Sequence, residues 1–120
     1  MANIGSTSTF DQAPTGTPLF LENATTTTSG AEITIISHVA TSLTKLSKIM
    51  VTCRQAGIIK IYDDTSLIGS ARLNAANLNY VFTYEPFREV ETGNTIEVRY
   101  TQRAGTNSSD IEAYLMALEL

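Results

Sequence analysis

Tryptophan is absent from this chain, and cysteine and histidine each occur once. One cysteine cannot form an internal disulfide framework or a cysteine-rich zinc site, and one histidine cannot form a histidine cluster around a metal. The apolar runs are a few residues long, far below the ~20 residues of a membrane-spanning helix. These shortages exclude disulfide-stapled domains, cysteine- or histidine-rich metal sites and transmembrane helices.

Charged side chains are also scarce, at 17% of residues, with 8 Lys and Arg, 12 Asp and Glu, and a net charge of −4. Because binding to a phosphate backbone needs clustered basic residues, we expect no nucleic-acid partner, and we expect no membrane partner. Residues 1–23 contain no Lys or Arg, and residues 2–11 are polar. A secretory signal has a basic start and an apolar middle, so we expect no such signal.

Threonine and serine are abundant instead, with 18 Thr and 10 Ser among 120 residues. Between polar turns, short segments alternate apolar and polar side chains with the period of two that is typical of β-strands. These segments are residues 32–38, 48–54, 58–62, 67–73, 78–84, 95–102 and 111–120. They predict an all-β chain, an antiparallel β-sandwich or jelly roll of seven or eight strands. Pro86 is expected to end the strand that reaches residue 84.

The first 30 residues differ from the rest in composition. They contain eight Thr, two of the three Pro and no cation, and such a stretch buries too little apolar area to become ordered by itself. We therefore divide the chain into an extended N-terminal arm, residues 1–30, and a β-sandwich domain, residues 31–120, which should be complete without residues 1–28. The arm would become ordered on a partner, most simply as an added strand; the alternative is a solvated tail. Its apolar anchors are Phe10, Leu19, Phe20 and Leu21.

The last predicted strand is apolar on both of its faces. One face carries Ile111, Ala113, Leu115 and Ala117, and the other carries Tyr114, Met116, Leu118 and Leu120. An antiparallel strand normally has one polar face, so the second face must be covered by the arm or by another subunit. The candidate interface residues are therefore the four anchors of the arm together with Tyr114, Met116 and Leu118.

A few side chains could carry chemistry, but each has a simpler interpretation. Cys53 lies in an apolar alternation, fifteen positions from His38, so we interpret it as a small buried hydrophobe and not as a nucleophile. Asp63 and Asp64 could contribute to a calcium site, but they lack the spaced acidic loop of such sites and are typical of a turn. Three glutamates between residues 85 and 91 define no sugar cleft. We expect no catalytic residue, no cofactor and no metal.

Several segments follow one another in a recognisable layout. LSKIMV at residues 46–51 begins a strand after a Thr-rich stretch, and the hairpin IKIYDDTSLI occupies residues 59–68. FTYEPF at residues 82–87 leads to ETGNTIEV at residues 91–98, and LEL stands at residues 118–120. In this layout the body of the chain, roughly residues 33–120, resembles the small β-sandwich or jelly-roll head proteins of tailed bacteriophages known as decoration or cement proteins.

The resemblance implies a non-enzymatic, structural virion protein that binds the outer capsid surface and ties neighbouring coat subunits together. Its partners would be the major capsid protein and further copies of itself, as a dimer or a trimer. It would be made in the host cytoplasm and located on the capsid surface. The alternative is a tail- or fibre-associated carbohydrate-binding β-sandwich, in which some of the five tyrosines would stack on sugar rings. A hydrolytic enzyme ranks third, because no acid–base pair is visible.

Overall fold

The computed structural model describes residues 16–27, 31–74, 76–103 and 109–120. These residues form eight β-strands, which confirms the all-β prediction, and they include no helix that could cross a membrane. The strands are β1 (Thr17–Thr27), β2 (Glu32–Val39), β3 (Thr44–Cys53), β4 (Gly57–Asp63), β5 (Ser66–Leu73), β6 (Asn79–Val90), β7 (Thr95–Gln102) and β8 (Ser109–Glu119).

The strands make two four-stranded antiparallel sheets. Sheet A has the order β1-β8-β3-β6, and sheet B has the order β2-β7-β4-β5. Apart from the β4–β5 hairpin, every connection crosses from one sheet to the other. This is the strand order of an eight-stranded jelly roll, so the predicted β-sandwich is confirmed.

The core lies between the two sheets and is built from their inward-facing side chains. In β4 and β7 every second residue is buried, as the pleat requires when one face of a sheet packs against another sheet. The largest fully buried side chains are Tyr100, Leu46, Ile49, Ile59, Ile61, Leu73, Ile96, Ile111 and Leu115. Each sheet therefore has one face committed to the core and one outer face.

The strand that was expected to end before Pro86 continues to Val90. It lies at the edge of sheet A, where a proline that lacks an N–H can be accommodated. Its register against β3 shifts between Leu46 and Lys48, since Lys48 pairs with Thr83 and Leu46 pairs with Arg88. The extra residues of β6 form a bulge there, and the strand resumes beyond it.

The described part of the predicted arm lies in the sandwich. Residues Thr17–Thr27 form β1 and pair with β8 over their whole length, from Thr17 opposite Glu119 to Thr27 opposite Ser109. Leu19 and Leu21 pack against the core. The expectation of a sandwich that is complete without residues 1–28 is therefore wrong, because β1 is the edge strand of sheet A. The arm was predicted from the threonine-rich composition of residues 1–30, but threonine is also common in β-strands. Phe10 lies outside the described residues.

Two adjacent residues of β1 test this placement. Replacing Leu21 with Ala should lower the free energy of unfolding by ~2 kcal/mol, because its side chain packs against the core. Replacing Phe20 with Ala should change it by less than about 0.5 kcal/mol, because Phe20 points to the other face and is 57% exposed. Chemical denaturation of dilute protein measures both values. Equal costs for the two variants would contradict the placement of β1.

Candidate protein-binding face

The outer face of sheet A carries a continuous group of apolar side chains. Its register places Pro18 beside Leu118 and Phe20 beside Met116. In the next row, Tyr114 lies beside Met50, and Met50 beside Val81. We call this group the apolar face and define it as Pro18, Phe20, Met50, Val81, Tyr114, Met116 and Leu118.

The apolar face is open to solvent. Phe20 is 57% exposed, Val81 49%, Met116 41% and Met50 38%. Phe20 also contacts the ring of Tyr114, with centroids 6.1 Å apart, so part of the group is already packed side by side on the sheet. Exposed apolar side chains that are scattered singly are ordinary, whereas a contiguous patch marks an interaction surface.

Charged groups border the apolar face on two sides. On the β1–β8 side, Glu22 is the cross-strand neighbour of Tyr114, and Glu112 is the cross-strand neighbour of Ala24. Glu112, followed by burial and Glu22, raises the pKa of the Tyr114 hydroxyl, because a negative phenolate beside carboxylates is unfavourable. On the other side, Lys48 is the neighbour of Met116. Carboxylates thus lie on one flank of the apolar face and an amine on the other.

The outer face of sheet B has a different character. The Arg99 guanidinium forms ion pairs with Glu97 and with Glu32, 3.5 Å from the latter, and it lies 4.3 Å from the centroid of the Tyr62 ring. The two exposed large hydrophobic residues of this sheet, Val39 and Leu67, lie on its opposite edge strands. The outer face of sheet B therefore carries charged groups, among them the paired Arg99, Glu97 and Glu32, and it is suited to contact with water.

The candidate interface residues separate into two sets. Tyr114, Met116, Leu118 and Phe20 lie together on the apolar face. Leu19 and Leu21 point to the opposite side of β1 and pack against the core, because alternate residues of a strand face opposite ways. Sequence reasoning missed the remaining members, Pro18, Met50 and Val81. The signal for Met50 was present, since its own strand is apolar on one side and Met50 interrupts the polar side between Lys48 and Thr52.

The structure also places the side chains that could carry chemistry. Cys53 is buried, and its thiol donates a hydrogen bond to the Gln55 carbonyl at 3.0 Å. Burial raises the pKa of this thiol, although its hydrogen bond with Tyr100 acts the other way. His38 Nε2 lies 3.9 Å from a carboxylate oxygen of Glu119 on β8. Neither side chain is placed beside the other as a nucleophile and base would be.

The two aspartates belong to the turn between β4 and β5. Asp63 is buried and accepts hydrogen bonds from Arg88 at 3.1 Å and Asn94 at 3.0 Å. The carboxylate of Asp64 accepts a hydrogen bond from the backbone N–H of Thr95 at 2.6 Å, and its φ of 54° fits a tight turn. Both side chains thus hold the β4–β5 hairpin against neighbouring strands. No group of three or more potential metal ligands occurs within the described ranges.

All five tyrosines have structural contacts, since Tyr114 lies beside Phe20, and Tyr80 lies beside Phe82 with ring centroids 4.6 Å apart. The Tyr100 hydroxyl donates to the Gln55 carbonyl at 2.6 Å, the Tyr84 hydroxyl donates to the Ile68 carbonyl at 3.2 Å, and Tyr62 lies beneath Arg99. A cleft of about 610 Å³ at one end of sheet A is lined by residues of β1, β3 and β8, and no aromatic ring is among the described residues of its lining. The described lining of this cleft therefore offers no ring on which a sugar could stack.

The comparisons with known proteins give little. No protein-family model and no curated protein matches the chain. Among solved structures, it matches a chain from a structure of infectious bursal disease virus Gx strain, with 13% sequence identity and a TM-score of 0.39. The match covers 85% of this chain and 32% of the viral chain, so this chain spans about a third of the length of the one that it matches.

The chemistry of Cys53 can be tested directly. Iodoacetamide should modify the folded chain at least about 100-fold more slowly than the denatured chain at the same pH, because the thiol is buried and its raised pKa disfavours the reactive thiolate. Mass spectrometry of quenched samples gives both rates. Modification of the folded chain at the rate of the denatured one would show an accessible thiol and would revive the nucleophile hypothesis.

Proposed function

We propose that this chain is a structural virion protein, a capsid decoration or cement subunit that binds the outer capsid surface and ties neighbouring coat subunits together. The observation that carries the proposal is the contrast between the two outer faces of the jelly roll. Sheet A presents the apolar face, with Phe20 and Met116 exposed, whereas sheet B presents charged groups paired with one another. The protein acts through surface contact, without a catalytic step.

The size of sheet A supports a stable protein contact. Four strands at ~4.8 Å spacing and eleven residues at ~3.3 Å make a surface of ~700 Å². A specific protein–protein interface buries ~800 Å² on each partner. Each large side chain of the apolar face that becomes buried contributes on the order of 1 kcal/mol. The outer face of sheet A is therefore large enough, and apolar enough, to hold a subunit in an assembly.

The contrast between the faces also suits a position on the surface of a particle. A subunit on the outside of a capsid needs one surface that is covered by protein and one that remains in water. The apolar face supplies the first and sheet B the second. The resemblance of the sequence to bacteriophage decoration proteins agrees with this position, in which the major capsid protein is the partner and the virion is the location.

Cosedimentation with particles tests the proposal. The purified chain should bind saturably to particles from its native source that have been stripped of it. Replacing both Met116 and Leu118 with Asp should weaken binding at least about tenfold, because two charges would have to be buried or the contact given up. The matched control is Leu67→Asp, which introduces a charge at a residue that is 53% exposed on sheet B and should bind like the parent.

Two results would contradict the proposal. Parental binding by the double variant would show that the apolar face has no part in assembly. Failure of the parent to bind particles, combined with saturable binding to a glycan array, would favour the carbohydrate-binding alternative. Circular dichroism spectra of both variants must match that of the parent, so that a loss of binding reports on the surface and not on folding.

A further inference from the structure

The apolar face is a diagonal stripe across sheet A. Pro18 and Leu118 form one row, Phe20 and Met116 form the next, and Tyr114, Met50 and Val81 form the third. The stripe thus begins on the edge strand β1 and ends on the opposite edge strand β6. Because it crosses all four strands, a partner that covers it must lie over the whole width of the sheet.

The two sides of the stripe carry opposite charge. Glu22 and Glu112 lie on the side nearer to residues 24 and 110, where Glu22 pairs with Tyr114 and Glu112 pairs with Ala24. Lys45 and Lys48 lie on the other side, beside Leu118 and Met116 in the β3–β8 register. Lys45 has Glu89 as its neighbour on β6, whereas Lys48 has the uncharged Thr83. Lys48 and Glu22 are therefore the cleanest representatives of the two flanks.

We propose that the occupant of the apolar face is a second copy of this chain, packed face to face about a two-fold axis that runs along the stripe. Such an axis places stripe on stripe and exchanges its two sides, so the lysine flank of one copy faces the glutamate flank of the other. A two-fold interface must be self-complementary, and an apolar stripe with opposite charges on its two flanks meets that condition. The ~700 Å² of sheet A is also of the size that a stable dimer buries on each subunit.

This inference rests on the proposed function and gives it a mechanism. A dimer joined through sheet A leaves two copies of the strand edges and sheet ends exposed for contact, while the charged outer faces of sheet B remain in water. A subunit with two equivalent contact surfaces can engage two neighbouring coat subunits at once, and the second contact is strengthened by the first through effective concentration. The dimer thus supplies the bivalency that tying neighbours together requires.

Charge reversal across the interface tests the arrangement. Sedimentation velocity at about 0.15 M salt should show a concentration-dependent dimer of the parent chain. Lys48→Glu and Glu22→Lys should each raise the dimer dissociation constant about tenfold or more, because each places two like-charge pairs across the two-fold axis. The matched control is Lys60→Glu, on the outer face of sheet B. It changes the net charge by the same amount as Lys48→Glu and should leave the dimer dissociation constant unchanged.

Mixing the two reversed variants gives the decisive result. In the mixed dimer both cross-axis pairs are again opposite in charge, so its dissociation constant should return to within about threefold of the parental value. Native mass spectrometry distinguishes the mixed dimer from either homodimer. A parent that stays monomeric at all accessible concentrations, a reversal without effect, or a mixture that does not recover would each overturn the inference.

The outcomes separate this inference from the proposed function. A monomeric parent that still binds particles through the apolar face would assign the face to the coat protein, overturning the inference and leaving the function standing. A monomeric parent that dimerises after removal of residues 1–15 would assign the face to that segment of the same chain and would also overturn it. A parent that dimerises as described but does not bind particles would overturn the function alone.

Discussion

The pleat of β8 is the constraint on which the rest of the molecule depends. Successive side chains of a strand point to opposite faces, and β8 is apolar at nearly every position from Ala113 to Leu118. Its inward residues, among them Ile111 and Leu115, are fully buried between the sheets. Its outward residues must then lie on the opposite surface of sheet A. Burying one set of apolar side chains in the core therefore exposes the other set.

The position of β8 in the sheet turns this exposure into a surface. It is an inner strand, between β1 and β3, so its outward residues have neighbours on both sides. Phe20 comes from β1, Met50 from β3, and Val81 from the strand beyond it. A strand at the edge of the sheet would have given a narrow apolar margin, whereas β8 gives the centre of a continuous face. Sheet B has no counterpart, since Arg99 and its carboxylate partners occupy the centre of its outer face.

Much of the fold could be predicted from the sequence, because alternation with a period of two is a local signal. It located β2, β4, β5, β7 and β8 to within a few residues. It failed for β1, whose threonines and lack of cations predict a separate arm. The pairing of Thr17–Thr27 with β8 spans more than 80 residues of sequence, and no local pattern reports such a contact. It also ended β6 at Pro86, where the edge position allows the strand to continue.

The apolar face could also be predicted only in part from the sequence. Tyr114, Met116 and Leu118 were identifiable, because a strand with two apolar faces is anomalous on its own. The sequence predicts Phe20 as an interface residue together with its neighbours Leu19 and Leu21, and it does not show which of the three faces outward. That answer depends on the register between β1 and β8, in which Phe20 lies opposite Met116. The charged flanks were not recognised, because they come from three strands that are distant in sequence.

Methionine oxidation tests the central claim that the apolar face is covered by protein in the assembled state. Met50 and Met116 both lie on this face and are 38% and 41% exposed, so peroxide should convert both to sulfoxides readily in very dilute chain. In intact particles the account predicts rates at least about tenfold lower at both residues, with mass spectrometry of the digested chain as the readout. Equal rates of oxidation in dilute chain and in particles would contradict the account.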